Sequence, residues 1–435
     1  MKIIHFSDLH IGVENFSKFT GEEYIADLPD YFAPSIDLKK TYLGLPTRLV
    51  DTLRAFDYLI NDAINLDVDL VVFAGDAFRS RDPSQTHQRE FAIRIRRLAD
   101  HGIAVFLLAG NHDIPNAQGR ATSLDIYSTL QVPNVTVATN IGIQLIETKS
   151  GVIQIAGLPW LRRSAVVSEY ASAGKSIDET RQATEEFLSV AVDKMADEID
   201  PNIPSILVSH ATVATAKLGS ETSMMMGNDY VLLPGVIGDK RFDYIALGHI
   251  HKHQIISTNP LTVYSGSLHR VDFSEENDEK GYCLVTIDSD QGSENRSTEF
   301  IFNTVWSRTF RTVNIDILDS DLDPTSTIVD CIIKEKLDDS IVRINILADR
   351  TQLDKIETQM IVDSLKKVNF MAALSIKENI NELNKTRINE VDMPKDITPI
   401  DALDLYLADR KIDTERRGIL KKYAEKLIDS INSDI

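Results

Sequence analysis

The clearest sign of the fold is the stretch Phe6-Ser7-Asp8-Leu9-His10-Ile11-Gly12, which closes the apolar run Ile3–Phe6. Short apolar runs of this kind are typical of β-strands that are buried on both faces. In an extended segment, residues two apart point to the same side, so Asp8 and His10 can reach one site together. The stretch therefore predicts a buried strand that ends at a polar site able to bind metal.

The same pattern recurs farther along the chain. At four further places an apolar run is followed at once by a motif with polar residues. The runs and their motifs are Leu70–Ala74 with Gly75-Asp76, Ala104–Ala109 with Gly110-Asn111-His112-Asp113, Ile206–Val208 with Ser209-His210, and Tyr244–Leu247 with Gly248-His249-Ile250-His251. Helical patterns lie between these runs, at Thr47 to Asn65, Ser84 to Asp100 and Asp178 to Ile199. The alternation predicts an α/β layered sheet, in which chemistry collects just past the carboxyl ends of the strands.

The composition is that of an ordinary globular protein of two or three domains, with 435 residues, 43% hydrophobic and 26% charged. Lys and Arg number 46 against 66 Asp and Glu, a net charge of −20, so nucleic-acid binding would need a local basic patch or bound metal cations. Two cysteines, Cys283 and Cys331, exclude a disulfide framework and a cysteine-ligated zinc site. No signal peptide or membrane-spanning run is visible, so we expect a soluble cytoplasmic protein.

The character of the sequence changes from about Gly281. Apolar runs predict a hairpin and then alternating strands and helices, at Tyr282–Ile287, Thr298–Phe302, Thr309–Ile317, Pro324 to Leu337 (helix), Ile341–Ile346, Thr351 to Val368 (helix) and Met371–Ile376. We expect a catalytic domain over 1–305, a small α+β domain over 306–378, an Asn-rich linker over 379–397 and a helical segment over 398–435. Two short helices in that last segment carry apolar stripes that they cannot bury against each other alone.

Seven residues past the strand ends are of types that bind metal: Asp8, His10, Asp76, Asn111, His210, His249 and His251. Each motif alone is weak evidence, because a single Asp-x-His pair or a lone histidine is more often structural. Together, in this order and at these strand ends, they predict a metal centre. Oxygen and imidazole ligands suit Mn²⁺, Fe²⁺ or Zn²⁺. The ligands exceed what one ion needs, so we expect two ions that share Asp76, roughly 3.5–4 Å apart.

The order of these motifs resembles that of the calcineurin-like metallophosphoesterases. Four stretches look like the nuclease component of SbcCD and its archaeal and eukaryotic Mre counterparts: Phe6 to Gly12, Ala74-Gly75-Asp76-Ala77-Phe78, Tyr264-Ser265-Gly266-Ser267 and Glu279-Lys280-Gly281. The resemblance implies a two-sheet α/β sandwich, a small capping domain over 306–378 and a C-terminal segment that binds a partner.

The resemblance also implies roles for the site residues. One ion would be held by Asp8, His10, Asp76 and His251, and the other by Asp76, Asn111, His210 and His249. His112 would contact the scissile phosphate and assist the leaving oxygen, and Asp113 would orient His112 by accepting its ring N–H. The expected cofactor is a pair of Mn²⁺ ions.

Four arginines are candidates for phosphate contacts: Arg79, Arg81, Arg162 and Arg163. Many relatives of the SbcCD type carry Asp or His where this chain has Arg79. Arg79 and Arg81 are either solvated loop residues or phosphate contacts near the metals, where a guanidinium suits bidentate binding. Arg162-Arg163 follows a predicted strand and is a candidate for contact with the DNA backbone.

The resemblance implies a Mn²⁺-dependent DNA exonuclease and endonuclease that hydrolyses phosphodiesters at double-strand ends in DNA repair and recombination. Its expected partners are DNA, held without sequence specificity, a coiled-coil ABC-type ATPase of the SbcC/Rad type bound through 398–435, and a second copy in a homodimer. No membrane partner is expected. Two alternatives remain open: a stand-alone phosphatase or cyclic-nucleotide phosphodiesterase, and a non-catalytic scaffold for the ATPase. The residues beyond the metal core argue against the first, and the complete ligand set with His112 argues against the second.

Overall fold

The structure is a computed structural model of the 435-residue chain. It describes residues 1–32, 36–115, 117, 119–161, 177–219, 231–288, 296–335, 337, 339–365, 372–378, 403, 407 and 416–424. Arg162, Arg163 and the expected linker over 379–397 lie outside the described residues.

The strands are β1 Lys2–Phe6, β2 Leu70–Phe73, β3 Ala104–Leu108, β4 Val135–Ala138, β5 Gly142–Thr148, β6 Gly151–Leu158, β7 Ser205–His210, β8 Thr212–Val213, β9 Val231–Leu232, β10 Tyr244–Gly248, β11 Gln254–Thr258, β12 Leu261–Tyr264, β13 Gly281–Ile287, β14 Thr298–Thr304, β15 Thr309–Asp316, β16 Ser340–Ala348 and β17 Ala372–Glu378. The helices are α1 Glu22–Ala26, α2 Ile36–Lys40, α3 Thr47–Asn65, α4 Gln85–Asp100, α5 Asp125–Thr129, α6 Ile177–Asp197, α7 Pro234–Ile237, α8 Pro324–Lys334, α9 Arg350–Leu353 and α10 Thr358–Leu365. A 3₁₀ turn covers Phe273–Glu275.

Two six-stranded sheets form within the described residues, with strand orders β14-β13-β1-β2-β3-β4 and β11-β12-β10-β7-β6-β5. Strands β1 to β4 are parallel, and so are β6, β7, β10 and β12. Antiparallel strands flank these parallel cores, and β13 with β14 is the predicted hairpin. Parallel pairing places the carboxyl ends of β1, β2 and β3 at one edge of the first sheet. The ends of β7 and β10 likewise meet at one edge of the second.

The two sheets pack face to face. Val72 and Phe106 of the first sheet share one buried apolar cluster with Ile155 and Val208 of the second. Helices α3 and α4 cover the other face of the first sheet, and α6 covers the other face of the second. The central strands β2 and β3 are apolar throughout because both their faces are buried, and every residue in them is buried. The predicted two-sheet α/β sandwich is confirmed.

The small sheet β15-β16-β17 follows the sandwich in the sequence. By compactness the chain divides into unit one, Met1–Ile315, Asp323–Ile346 and Ile356–Ser375, and unit two, Asp316–Leu322, Leu347–Lys355 and Ile376–Ile435. The expected domain boundaries at 305, 378 and 397 stay a prediction.

One predicted helix differs from the structure. The sequence pattern favours a single helix from Thr351 to Val368, but the described part of this stretch holds α9 and α10, which are separated at residues 354–357. At the break, the backbone N–H of Glu357 donates to the Thr325 hydroxyl at 2.9 Å. This bond replaces the one that a continuous helix would make within itself.

The C-terminal segment is described only at 403, 407 and 416–424, and the last of these stretches is helical. No described helix is both long enough and apolar enough to cross a membrane.

Candidate metal centre

The strand ends bring the predicted ligands together. Asp8 and His10 follow β1, Asp76 follows β2, Asn111 follows β3, His210 ends β7, and His249 and His251 follow β10. Ligand atoms lie within 4.8 Å of one another in the group Asp8, His10, His251 and in the group Asp76, His210, His249. All six of these side chains are buried.

The first ligand set consists of Asp8, His10 and His251. Nε2 of His10 lies 2.9 Å from Nε2 of His251. Nδ1 of His251 donates to Oε1 of Glu275 at 2.8 Å, so Nε2 of the neutral ring carries a lone pair. Burial lowers the pKa of His10 well below its usual value, and its ring is therefore neutral at neutral pH. Two imidazole nitrogens that face each other at this distance suit a shared cation.

The second ligand set consists of Asp76, Asn111, His210 and His249. Nδ1 of His210 donates to the Ala74 carbonyl at 2.7 Å, and its Nε2 lies 3.0 Å from Oδ1 of Asn111. Nδ1 of His249 lies 3.3 Å from the same oxygen. Burial alone would lower the pKa of His210, but the Asp76 carboxylate outweighs it and raises the pKa to about 9. This cluster therefore favours a positive charge, which a metal cation supplies as well as a proton does.

Asp76 lies between the two sets. Its Oδ2 is 3.6 Å from Nε2 of His10 and 3.4 Å from Nε2 of His210. Its Oδ1 accepts the backbone N–H of His112 at 2.8 Å, which leaves Oδ2 to face both sets. Although burial would raise the pKa of Asp76, His210 holds it well below its usual range, so the group is a carboxylate. This is the geometry that a bridging ligand requires, and the donor set as a whole fits two divalent cations.

The backbone is strained at four of the candidate ligands. Asp8, His10, Asp76 and His249 have φ angles of 53°, 44°, 65° and 97°. Conformations of this kind cost on the order of 1–3 kcal/mol each and cluster at functional sites. The backbone N–H of Asp8 donates to the Gly75 carbonyl at 2.9 Å, and that of His10 donates to the Asp76 carbonyl at 3.0 Å. These bonds hold the loops after β1 and β2 together, so the surrounding fold imposes the strain.

Two glycines of the motifs are needed because the chains approach so closely. A Cβ atom on Gly110 would lie 2.2 Å from Oδ1 of Asp76. A Cβ atom on Gly75, whose φ is +98°, would lie 2.4 Å from Nδ1 of His210. The Gly-Asp and Gly-Asn-His motifs therefore owe their glycines to the close packing of the loops that carry the second ligand set.

His112 lies at the edge of the centre. Its ring packs edge-on against His10, with 5.0 Å between centroids. Its Nδ1 donates to the Arg79 carbonyl at 2.9 Å, so Nε2 is the nitrogen left for substrate. Burial lowers the pKa of His112 below its usual value. His112 also falls in a close group with His10 and Asp76, so its expected role as a non-ligand stays a prediction.

The expected role of Asp113 is wrong. The ring N–H of His112 goes to the Arg79 carbonyl, while the Asp113 carboxylate accepts the backbone N–H groups of Asp76, Ala77 and Gly110 at 2.8, 3.0 and 2.9 Å. Asp113 is fully buried, and burial raises its pKa to about 7. It holds the strained loop that carries Asp76, because those N–H groups have no strand partner there.

The two described arginine candidates stand beside the centre. Arg79 and Arg81 are exposed, and Nε of Arg81 donates to the Asn111 carbonyl at 3.0 Å. Arg162 and Arg163 lie outside the described residues, so their role stays a prediction.

Glu275 and Lys280 were not found by sequence reasoning as site residues. Both are buried, with 2.7 Å between Oε2 of Glu275 and Nζ of Lys280. Burial would raise the pKa of Glu275, but Lys280 and then His251 hold it well below its usual value. Glu275 therefore stays ionised and fixes the His251 ring. Nothing in the local sequence pattern around Glu275 indicates such a contact.

The comparison with family profiles agrees with this geometry. The profile of the calcineurin-like phosphoesterases matches residues 1–253, more than half of the chain and all of the candidate ligands. The chain belongs to the calcineurin-like phosphoesterase family. The superfamily indicated by the motif order is thereby confirmed. A solved structure of a dimetal phosphatase from Danio rerio is similar over 70% of this chain and 99% of that chain, at 9% identity and a TM-score of 0.32. A likeness at that level carries no argument.

The arrangement suits hydrolysis of a phosphoester. Bound divalent ions lower the pKa of a water molecule and neutralise charge on phosphate oxygens. The chain itself supplies the rest. Asp76 and the histidines would hold the ions, and Nε2 of His112, which faces away from the Arg79 carbonyl, would be available to exchange a proton with a substrate oxygen.

Proposed function

We propose that this calcineurin-like phosphoesterase is a Mn²⁺-dependent DNA exonuclease and endonuclease of the type that forms the nuclease component of SbcCD. It hydrolyses phosphodiesters at DNA double-strand ends in repair and recombination, together with a coiled-coil ABC-type ATPase. The motif resemblance suggests this substrate, and features of the described residues support it.

The observation that carries the proposal is the pair of exposed arginines beside His112. Within the described part of the chain, neither Arg79 nor Arg81 forms an ion pair with a carboxylate. In a chain with a net charge of −20, these two cations form a local basic patch beside the candidate centre. They suit the phosphates that flank the scissile bond of a polymer, which a small monoester lacks.

A second observation favours a large substrate. Beyond residue 253 the chain adds the hairpin β13–β14 to the first sheet and then the small sheet. Arg308, which lies between the hairpin and the small sheet in the sequence, connects this addition to α3. Its Nε and Nη2 donate to the two oxygens of buried Asp51 at 2.7 and 2.8 Å. A compact phosphatase does not need such an extension, whereas a DNA substrate gains contact surface from it.

The helix at 416–424 supports the ATPase partner. Its residues Ile419, Leu420 and Tyr423 are 52%, 38% and 65% exposed. An apolar stripe on so short a helix favours docking against a partner helix. Deletion of 398–435 should abolish co-purification with the ATPase and leave the cleavage of single-stranded or flapped DNA intact.

Cleavage assays with Mn²⁺ test the proposal. We expect the purified protein to degrade linear double-stranded DNA, with stimulation by the ATPase and ATP, and to hydrolyse bis-p-nitrophenyl phosphate. Activity confined to p-nitrophenyl phosphate would identify a phosphatase, and activity confined to a cyclic nucleotide would identify a cyclic-nucleotide phosphodiesterase. Either result would contradict the proposed nuclease. No turnover of any substrate by protein that contains its metals would favour the non-catalytic scaffold.

A matched pair of variants isolates the arginines. The double variant Arg79→Gln, Arg81→Gln should slow DNA cleavage and spare bis-p-nitrophenyl phosphate, which has no flanking phosphates. The control is Arg96→Gln, an exposed arginine of α4 that pairs with Asp100. Equal rates of DNA cleavage by the double variant and the control would show that Arg79 and Arg81 do not bind the flanking phosphates.

A further inference from the structure

The 3₁₀ turn Phe273–Glu275, with Glu276 after it, contacts two separate parts of unit one. On one side, Glu275 accepts the ring N–H of His251 at 2.8 Å. On the other, Glu276 accepts the backbone N–H and the hydroxyl of Thr312 in β15 at 2.9 and 2.6 Å. Neighbouring carboxylates therefore hold a candidate metal ligand and a strand of the small layer. We define the small layer as residues 309–315, 323–346 and 356–365, all within unit one.

Apolar contacts fasten the same turn to the small layer. The rings of Phe273 and Phe310 meet edge-on, with 4.9 Å between centroids, and Ile341 belongs to the same buried cluster. The Arg343 guanidinium lies 4.4 Å from the centroid of the Phe273 ring, and its Nη2 donates to the Thr312 hydroxyl at 3.0 Å. The small layer therefore holds the turn in place by apolar packing and by hydrogen bonds.

The link from the turn to His251 is stiff. The Glu275 side chain is fully buried, and its second oxygen accepts from Nζ of Lys280 at 2.7 Å and from the backbone N–H of Val271 at 3.0 Å. Lys280 in turn donates to the His251 carbonyl at 3.1 Å. A carboxylate held at both oxygens cannot rotate to absorb a shift of the turn, so the shift reaches the His251 ring.

We propose that the turn Phe273–Glu276 is a positioning element through which the small layer sets the orientation of His251, and hence the affinity of the first ligand set for its ion. The inference goes beyond the proposed nuclease. It rests on the two-ion site and not on the identity of the substrate.

Mn²⁺ binding to the full chain, measured by calorimetry alongside the melting temperature, tests the proposal. The variant His251→Ala identifies the binding event of the first set, because that event alone should vanish. Glu276→Ala should weaken the same event by about 3-fold to 10-fold, less than the roughly 10-fold to 100-fold cost of losing a partner that touches the ligand itself, and leave the other event unchanged. Glu276→Gln keeps an acceptor for the Thr312 N–H and should recover part of the affinity.

Asp323→Ala is the matched control. The Asp323 carboxylate caps α8 of the small layer by accepting the N–H of Ser326 at 3.1 Å, whereas the contacts described above join the turn to β15 and β16. This variant should lower the melting temperature and leave both Mn²⁺ affinities as in the wild type.

Three outcomes would overturn the positioning role. Glu276→Ala could lower the melting temperature like Asp323→Ala with both affinities intact, or it could weaken both binding events equally. If Glu276→Ala does not fold, Thr312→Val, which removes one hydroxyl, takes its place, and unchanged first-set affinity there would also refute the role. A protein that binds two Mn²⁺ ions in this pattern but does not cleave DNA would contradict the proposed nuclease alone.

Discussion

The two ligand sets are held in different ways. In the second set, the backbone carbonyl of Ala74 orients His210, and Gly75 lets the chains approach. In the first set, the side chain of Glu275 orients His251 and is itself held by Lys280. Backbone support changes only when the chain is rearranged, whereas side-chain support can be altered by one substitution. We therefore expect the second set to be rigid and the first to be adjustable.

The largest effect should come from Asp76, because its Oδ2 faces both sets. Asp76→Ala should release both ions and abolish cleavage, since neither set keeps the shared carboxylate. Metal content by elemental analysis, measured beside the cleavage rate, checks this. The control Asp82→Ala removes an exposed carboxylate nearby and should change neither. Retention of one ion by Asp76→Ala would show that the sets are independent.

Gly110→Ala tests whether backbone packing supports the second set. The new Cβ would lie 2.2 Å from Oδ1 of Asp76, so the carboxylate or the loop must move. We expect loss of metal from the second set and a free energy of unfolding reduced by about 1–3 kcal/mol. Gly142→Ala, where no atom lies within 4 Å of the added Cβ, is the matched control. Unchanged metal content in Gly110→Ala would mean that the second set is adjustable too.

His112→Gln separates chemistry from metal binding. We expect both ions to stay bound and cleavage to fall by about 10²–10⁴-fold, because a proton-transferring group is lost. Elemental analysis beside single-turnover cleavage measures the two effects. If an ion is lost as well, His112 is a ligand, as its proximity to His10 and Asp76 permits.

Glu275→Gln should have the smallest effect on turnover and sharpens the comparison most. Gln keeps an acceptor for the His251 ring but leaves Lys280 buried without its carboxylate. We expect Mn²⁺ affinity of the first set to fall by about 10–100-fold and that of the second to stay the same. The free energy of unfolding should fall by about 3–5 kcal/mol, as for other broken buried pairs. Equal loss of Mn²⁺ affinity in both sets would show that the first set is no more adjustable than the second.

Much of this centre could be predicted because the ligands follow apolar strands. A buried parallel strand has a strong sequence pattern, and residues at its carboxyl end share an edge with those of its neighbours. Asp8, Asp76, Asn111 and His210 were all found by this rule. The α/β layering followed from the alternation of strands and helices, and the two-sheet sandwich followed from the family resemblance.

Asp113 shows where the rule stops. Its place beside His112 suggested a contact between the two side chains. The direction of each side chain, however, depends on loop dihedrals that no periodicity encodes. In the fold, Asp113 turns inward to three backbone N–H groups of the strained loop. Adjacency in sequence is therefore poor evidence for contact outside regular elements.

The sequence alone was sufficient for the central strands, the candidate ligands that follow them and the family, because each depends on local patterns of a few residues. The tertiary structure was needed for the contacts of Asp113, for the role of Glu275 and for the link from the small layer to His251. Those features arise from distances between segments far apart in the chain. Such distances are set by the packing of two sheets and a turn, which no short stretch of sequence records.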